Sequence, residues 1–290
     1  MLCLAVCWDN ILNIGKSMLI RKLIRSAIEP FPAVMLFMRN MRDFLDQRDP
    51  PRPTPWGFTL AGHKAMAEGT FEPDETSLVR MLIQEVDVLV NVGANVGYYC
   101  CHALSLGKPV IAIEPIARNL HYLLKNIRNN GWSSQAQVYP VALGCDTDIL
   151  EMWGGGTGAS LVKGWASIPE SYVTLVPVLS LNRVIGASLE EKRSLIIVDI
   201  EGSELMMLQG ATQILESTPR PIWMVEISTT EHQPAGIMIN PNFVKTFDVF
   251  YERGYRAYTA DACSKELSRN DVVDIALNHK ILETHNIIFR

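Results

Sequence analysis

The feature that most limits what this chain can fold into is a junction near residue 92. A short apolar, β-branched run, Val88 to Val92, passes directly into Gly93-Ala94-Asn95-Val96-Gly97, and a helical stretch to Leu106 follows at once. Glycines at a strand-to-helix turn let backbone approach a ligand closely, and the free N–H groups of the helix start attract anionic or polar groups. The pattern then repeats. Pro109 to Ile113 reads as a strand, Arg118 to Asn130 as a helix stopped by Asn130-Gly131, and Val138 to Leu143 as a strand. A βαβαβ succession predicts an α/β domain whose parallel sheet carries helices on both faces, because its crossovers are right-handed. At 290 residues the chain accommodates one large domain of this kind plus an extension, and it buries a core without disulfides or metal.

Residues 1–48 read as a helical extension. Within it Met18-Leu19-Ile20-Arg21-Lys22-Leu23-Ile24-Arg25 alternates apolar and basic side chains, a pattern that packs on a core or lies peripherally on a membrane. A proline-rich linker at 49–56 separates it from the main domain at 57–290. Pro73 opens a helix over Asp74 to Gln84, with acids in its first turn. The stretch from about 144 to 185 reads as an insertion over the carboxyl edge of the sheet that shapes the pocket. Its Gly154-Gly155-Gly156-Thr157-Gly158 sits between strand-like Ile149 to Trp153 and Tyr172 to Leu179, and reads as turns, since no Lys-Ser/Thr pair follows at phosphate-loop spacing. Leu195 to Ile200, Ile222 to Ile227, Tyr255 to Thr259 and Asn286 to Phe289 are further strands. Ser203 to Leu215 and Phe243 to Arg253 are helices.

Composition narrows the partners. A net charge of −5 lacks the basic excess that phosphate-backbone binding needs, which disfavours nucleic acid. The cysteines at 3, 7, 100, 101, 145 and 263 form no CxxC pair and read as small buried hydrophobes in a reducing compartment. The apolar start is interrupted by Trp8-Asp9-Asn10 without preceding basic residues, so a cleavable signal is not expected and the chain reads as cytoplasmic.

Carboxylates at strand ends carry the chemistry. Glu114 closes the second strand 17 residues beyond Gly97, where an acid accepts hydrogen bonds from a ribose diol. Asp199 and Glu201 close a later apolar strand, and Glu226 closes the next, on the same edge. Ser203 reads as a helix cap beside Glu204. Among the histidines, His63 is a candidate base, whereas His102 and His121 fall inside helices and read as structural.

The sequence resembles the FkbM family of S-adenosylmethionine-dependent methyltransferases. The matching segments are Gly93 to Tyr99, Ile113-Glu114-Pro115 with Asn119 and Asn126, Val141 to Gly144, Gly158 to Leu161, Asp199-Ile200-Glu201-Gly202 with Glu204, Leu208 to Ala211, and Val225-Glu226. The resemblance implies a Rossmann-like class I methyltransferase fold with a seven-stranded, mostly parallel sheet. It implies S-adenosylmethionine as cofactor, held by Asn91, Gly93, Ala94, Asn95, Gly97, Glu114, Pro115, Asn119 and Ala142. It implies O-methylation of a hydroxyl on a sugar, glycan or natural product; the catalytic candidates are Asp199, Glu201 and Glu226, together with His63 from its imidazole chemistry, and no metal is assigned. Two positions depart from the family pattern: an acid is usual where this chain has Asn91, and a lysine where it has Ile197. A nicotinamide-dependent oxidoreductase and a catalytically degenerate binding module are the alternatives. The first lacks the third glycine of its fingerprint.

Overall fold

The computed structural model describes residues 50–290. The readings on 1–48, including the basic amphipathic run, Cys3 and Cys7, lie outside the described residues. Nothing in the described residues forms a helix long and apolar enough to cross a membrane.

The proline segment is more structured than a linker. Arg52–Pro53 (β1) pairs antiparallel with Thr59–Leu60 (β2), an edge placement that tolerates the missing N–H of proline. Lys64–Glu68 (α1) and Pro73–Glu85 (α2) follow. The alternating core then runs Val88–Val92 (β3), Tyr98–Ser105 (α3), Val110–Ile113 (β4), Ala117–Asn129 (α4) and Ala136–Tyr139 (β5). The expected strand at Val138 to Leu143 is two strands. Beyond Pro140, Ala142–Leu143 (β6) leaves the main sheet and joins Asp148–Trp153 (β7) and Val173–Leu179 (β8) in a separate three-stranded sheet, so the insertion is a hairpin that recruits β6.

After Leu181–Ile185 (α5), the main sheet resumes with Ser194–Val198 (β9). The helix expected over Ser203 to Leu215 is split by Gly210 into Glu204–Gln209 (α6) and Thr212–Leu215 (α7). A Cβ on Gly210 would lie 2.1 Å from the Gly144 carbonyl oxygen, so the break is where this segment meets the insertion. Ile222–Glu226 (β10), Phe243–Tyr251 (α8), Ala257–Thr259 (β11), Glu266–Leu267 (β12), Arg269–Leu277 (α9) and Asn286–Phe289 (β13) complete the chain.

The main sheet has the order β12-β11-β13-β10-β9-β3-β4-β5. Five central strands, β10 through β5, are parallel, and β13, β11 and β12 each pair antiparallel. The sheet is mostly parallel, as expected, but has eight strands rather than seven, counting two-residue β12 at the edge. Side chains alternate across the sheet as the pleat requires. Val88, Val90, Val92, Ile196, Val198 and Trp223 pack on α5 to α9, whereas Leu89, Ala112, Leu195, Ile197 and Met224 pack on α2, α3 and α4.

Candidate functional site

Strand register sets out the site. Val92 pairs with Ile113 on one side and Val198 on the other, and Val198 pairs with Val225. The next residue on each strand is therefore Gly93, Glu114, Asp199 or Glu226, four neighbours along the carboxyl edge. Open parallel sheets bind ligands at this edge. Gly93 permits the close approach: its φ is +81°, and a Cβ there would lie 1.9 Å from the Asp199 carbonyl oxygen.

An open cleft of about 570 Å³ lies over three of these four, lined by Gly93, Asn95, Glu114, Pro115, Asn119, Ala142, Asp199, Glu201 and Ser203 among others; Glu226 does not line it. Glu114 is buried. Its Oε2 accepts the Asn95 N–H at 2.8 Å, and its Oε1 accepts the Ile116 N–H at 2.8 Å and Asn119 Nδ2–H at 3.3 Å. Burial pushes its carboxyl up to about 7 against the pull of these donors. Asn119 also donates to the Gly156 carbonyl at 2.8 Å, so the glycine run of the insertion forms part of the cleft wall.

Asp199 lines the cleft and is exposed to the solvent in it. Desolvation, followed by the Glu201 charge, raises its pKa, and Glu226, hydrogen-bonded to it, is raised by burial and by Asp199 itself. Both shifts are upward, as burial and close like charges dictate. Glu204, buried behind them, is pushed to about 7 by desolvation while its Oε1 accepts the Gly202 N–H at 2.9 Å.

Two sets of contacts had no signal in residue spacing. Glu75, on α2, accepts Tyr99 Oη–H at 2.7 Å and Asn286 Nδ2–H at 2.8 Å, and its pKa is raised by burial, by Glu72 and, further off, by Asp199. From the insertion, Trp165 Nε1–H donates to Glu201 Oε2 at 2.6 Å, and Ser160 Oγ–H to the Glu201 carbonyl at 2.5 Å. They hold Glu201 at φ +55°, a left-handed conformation that a side chain rarely adopts without such support.

A family model, the methyltransferase FkbM domain, matches residues 91–257, more than half of the chain. The chain belongs to the FkbM methyltransferase family. Solved structures similar to this FkbM chain include an FkbM methyltransferase of Methylobacillus flagellatus KT, at 19% identity and a TM-score of 0.42 over 70% of this chain and 43% of that one. An O-methyltransferase of Bacillus cereus in complex with SAH is similar at 9% identity and a TM-score of 0.43, over 77% of this chain and 83% of that one. The FkbM chain thus spans less than half of the longer Methylobacillus protein. No curated protein matches it.

Several expected site residues of the FkbM domain stand elsewhere. Asn91 is buried off the cleft, its Nδ2 3.5 Å from Cys100 Sγ. It pairs in register with Ile197, so the two departures from the family pattern are cross-strand neighbours, both uncharged. Ala94 is buried in the core. Gly97 does not line the cleft; at φ +87° it starts α3, and a Cβ there would meet Leu123 Cδ1 at 2.6 Å rather than a ligand. His63 also lies off the cleft and caps α1, its Nδ1 accepting the Met66 N–H at 3.3 Å. Burial and then Arg118 lower its pKa. His102 is buried on α3, as expected. Ser203, expected to cap, makes no side-chain cap bond. Of the cysteines, Cys100 and Cys101 are buried, but Cys145 and Cys263 are exposed, contrary to the reading of all as core residues.

Proposed function

We propose that this chain transfers a methyl group from S-adenosylmethionine to a hydroxyl of a small-molecule or carbohydrate acceptor. The observation that carries this reading is the edge row Gly93, Glu114 and Asp199 lining one cleft, with Glu226 next to Asp199 on the adjacent strand. The residues present fit the cofactor. Glu114 offers buried carboxylate lone pairs suited to a ribose diol, and Asn119 Oδ1 is a buried acceptor with no partner among the described residues. Glu114, Asn119, Asn95, Pro115 and Ala142 would hold the nucleoside. When bound, the cofactor supplies a methyl group on cationic sulfur, already activated for displacement.

The chain's own work is positioning and proton transfer. Asp199, with its raised pKa, accepts the proton of the acceptor hydroxyl as that oxygen attacks, and Glu226 shares the proton. Glu201, gripped by Trp165 and lining the cleft, orients the acceptor. A base with a pKa near ambient pH is the efficient choice.

Calorimetric titration with S-adenosylmethionine, S-adenosylhomocysteine and NAD tests the cofactor. Incubation of sugars, glycans and hydroxylated natural products with radiolabelled donor, read by product mass, tests the acceptor. Binding of NAD without either sulfur ligand overturns the reading in favour of an oxidoreductase. Donor binding with no acceptor methylated across the three classes points to the degenerate binding module.

A further inference from the structure

The pleat of the sheet puts a second group of acids on the same side as the Asp199–Glu226 pair. Ile197 on β9, Met224 on β10 and Ile288 on β13 all point to the face covered by α2, α3 and α4. Side chains alternate along a strand, so Glu226 and Asn286, each two residues from one of these, belong to that face as well. Asp199 follows β9 directly and continues its ladder, its N–H donating to the Val92 carbonyl at 3.1 Å, which gives it the same side as Ile197. Asn286 stands opposite Glu226 in the antiparallel β10–β13 pair, and Glu226 is hydrogen-bonded to Asp199.

The helix side of this layer supplies Glu75. From the first turn of α2, its Oε2 accepts Asn286 Nδ2–H at 2.8 Å and its Oε1 accepts Tyr99 Oη–H at 2.7 Å, while the same hydroxyl stands 3.4 Å from Glu72 Oε2. Glu75 is thus fixed at both oxygens, one of them by the cross-strand partner of Glu226. The groups acting on Glu75 are Glu72 on its own helix, Tyr99 on α3 and Asp199 at the strand end, and Glu75 in turn acts on Tyr98. Those acting on Asp199 are Glu201, Glu226 and Glu72. All are acids or tyrosines, so charge gained by one raises the cost of charging the next. Glu75 and Asp199 both titrate at about 7, and acids that act on each other at one pH share their titration. We propose that Glu75, anchored by Tyr99 and Asn286, is a positioning residue that governs the protonation of the Asp199–Glu226 pair. Its bond to Asn286 fixes the side chain opposite Glu226, and its charge opposes loss of the proton from Asp199. That this pair serves methyl transfer rests on the reading above; its link to Glu75 does not.

The test is a titration of the full, unliganded chain, isotope-labelled at the aspartate carboxyl carbons and followed by NMR across the weakly acidic to weakly basic range. The Asp199 signal is the one lost in Asp199→Asn. Glu75→Gln keeps the size of the side chain and an oxygen that can accept from Tyr99 or Asn286, and it removes the charge. It is expected to lower the Asp199 midpoint by about 0.5 to 1 pH unit. Asp248 and Asp271, held by Arg269 and Ser268 at the surface, should keep their midpoints. A purely structural Glu75 would change thermal stability and leave the Asp199 midpoint in place. Tyr99→Phe, the second variant, leaves the acid and removes a donor that favours its charged form, so the Asp199 midpoint should fall in the same direction by less. A wild-type Asp199 midpoint in either folded variant overturns the proposal. Because no ligand is added, failure of the chain to bind S-adenosylmethionine would refute the methyl-transfer reading and leave this titration standing.

Discussion

The carboxyls of the edge row are shifted upward alike, Glu114 and Asp199 both to about 7, but their surroundings differ. Glu114 is surrounded by donors, two backbone N–H groups and an asparagine amide, which favour its charged form against burial. Asp199, two strands away, is hydrogen-bonded to Glu226, three strands away, and after burial the largest upward influences on them are other acids, so burial and repulsion both favour the proton. One arrangement surrounds the carboxyl with donors and the other with acids. Similar strand ends thus acquire different surroundings because loop donors reach one and not the other.

The sharpest break of this contrast is Asp199→Asn. It keeps the shape and removes proton acceptance, so methyl transfer should fall by at least about a hundredfold while S-adenosylhomocysteine affinity stays near wild type. Full activity in that variant moves the base elsewhere. Glu114→Ala should do the reverse: it should lower S-adenosylhomocysteine affinity by about 1 to 3 kcal/mol, measured by calorimetry. Gly97→Val separates binding from folding. Its φ of +87° and the 2.6 Å approach of Leu123 predict a loss of about 1 to 3 kcal/mol in denaturant unfolding. The folded fraction should bind ligand normally.

The smallest expected effect is electrostatic. Glu114 and Glu204 titrate near 7 in the folded chain against about 4.3 when unfolded, so between these values the folded state holds more protons. Stability then falls as pH rises through that window, and Asp199, Glu226 and Glu75 act in the same direction. The wild-type melting midpoint should drop between pH 5 and pH 8. Glu204→Gln should flatten the drop by about 2 to 4 °C. A midpoint that rises with pH would show that the acid edge is compensated.

Legibility followed the range of the forces involved. Val88 to Val92 and Ile222 to Ile227 were readable because an apolar β-branched run has few uses except a buried strand. Glu114, Asp199 and Glu226 were readable because each follows such a run, and parallel register aligns the ends of neighbouring strands. Val138 to Leu143 misled because Pro140 is one residue in an otherwise continuous pattern, and whether a chain bends there depends on the second sheet available to receive it. His63 misled because a histidine is both a base and a cap, and spacing does not distinguish them. Gly97 was recognised from the turn, but the close approach of Leu123 to it, between segments far apart in sequence, was not.

The amino-acid order by itself determined the α/β alternation, the glycine turn and the acids at the strand ends, since each arises from local periodicity and conformational preference. Only the tertiary structure decided that Trp165 grips Glu201 and that Glu75 meets Asn286 across 211 positions. Those outcomes depend on which loops the packed sheet brings together, and a hydrogen bond between distant segments leaves no period in the residues between them.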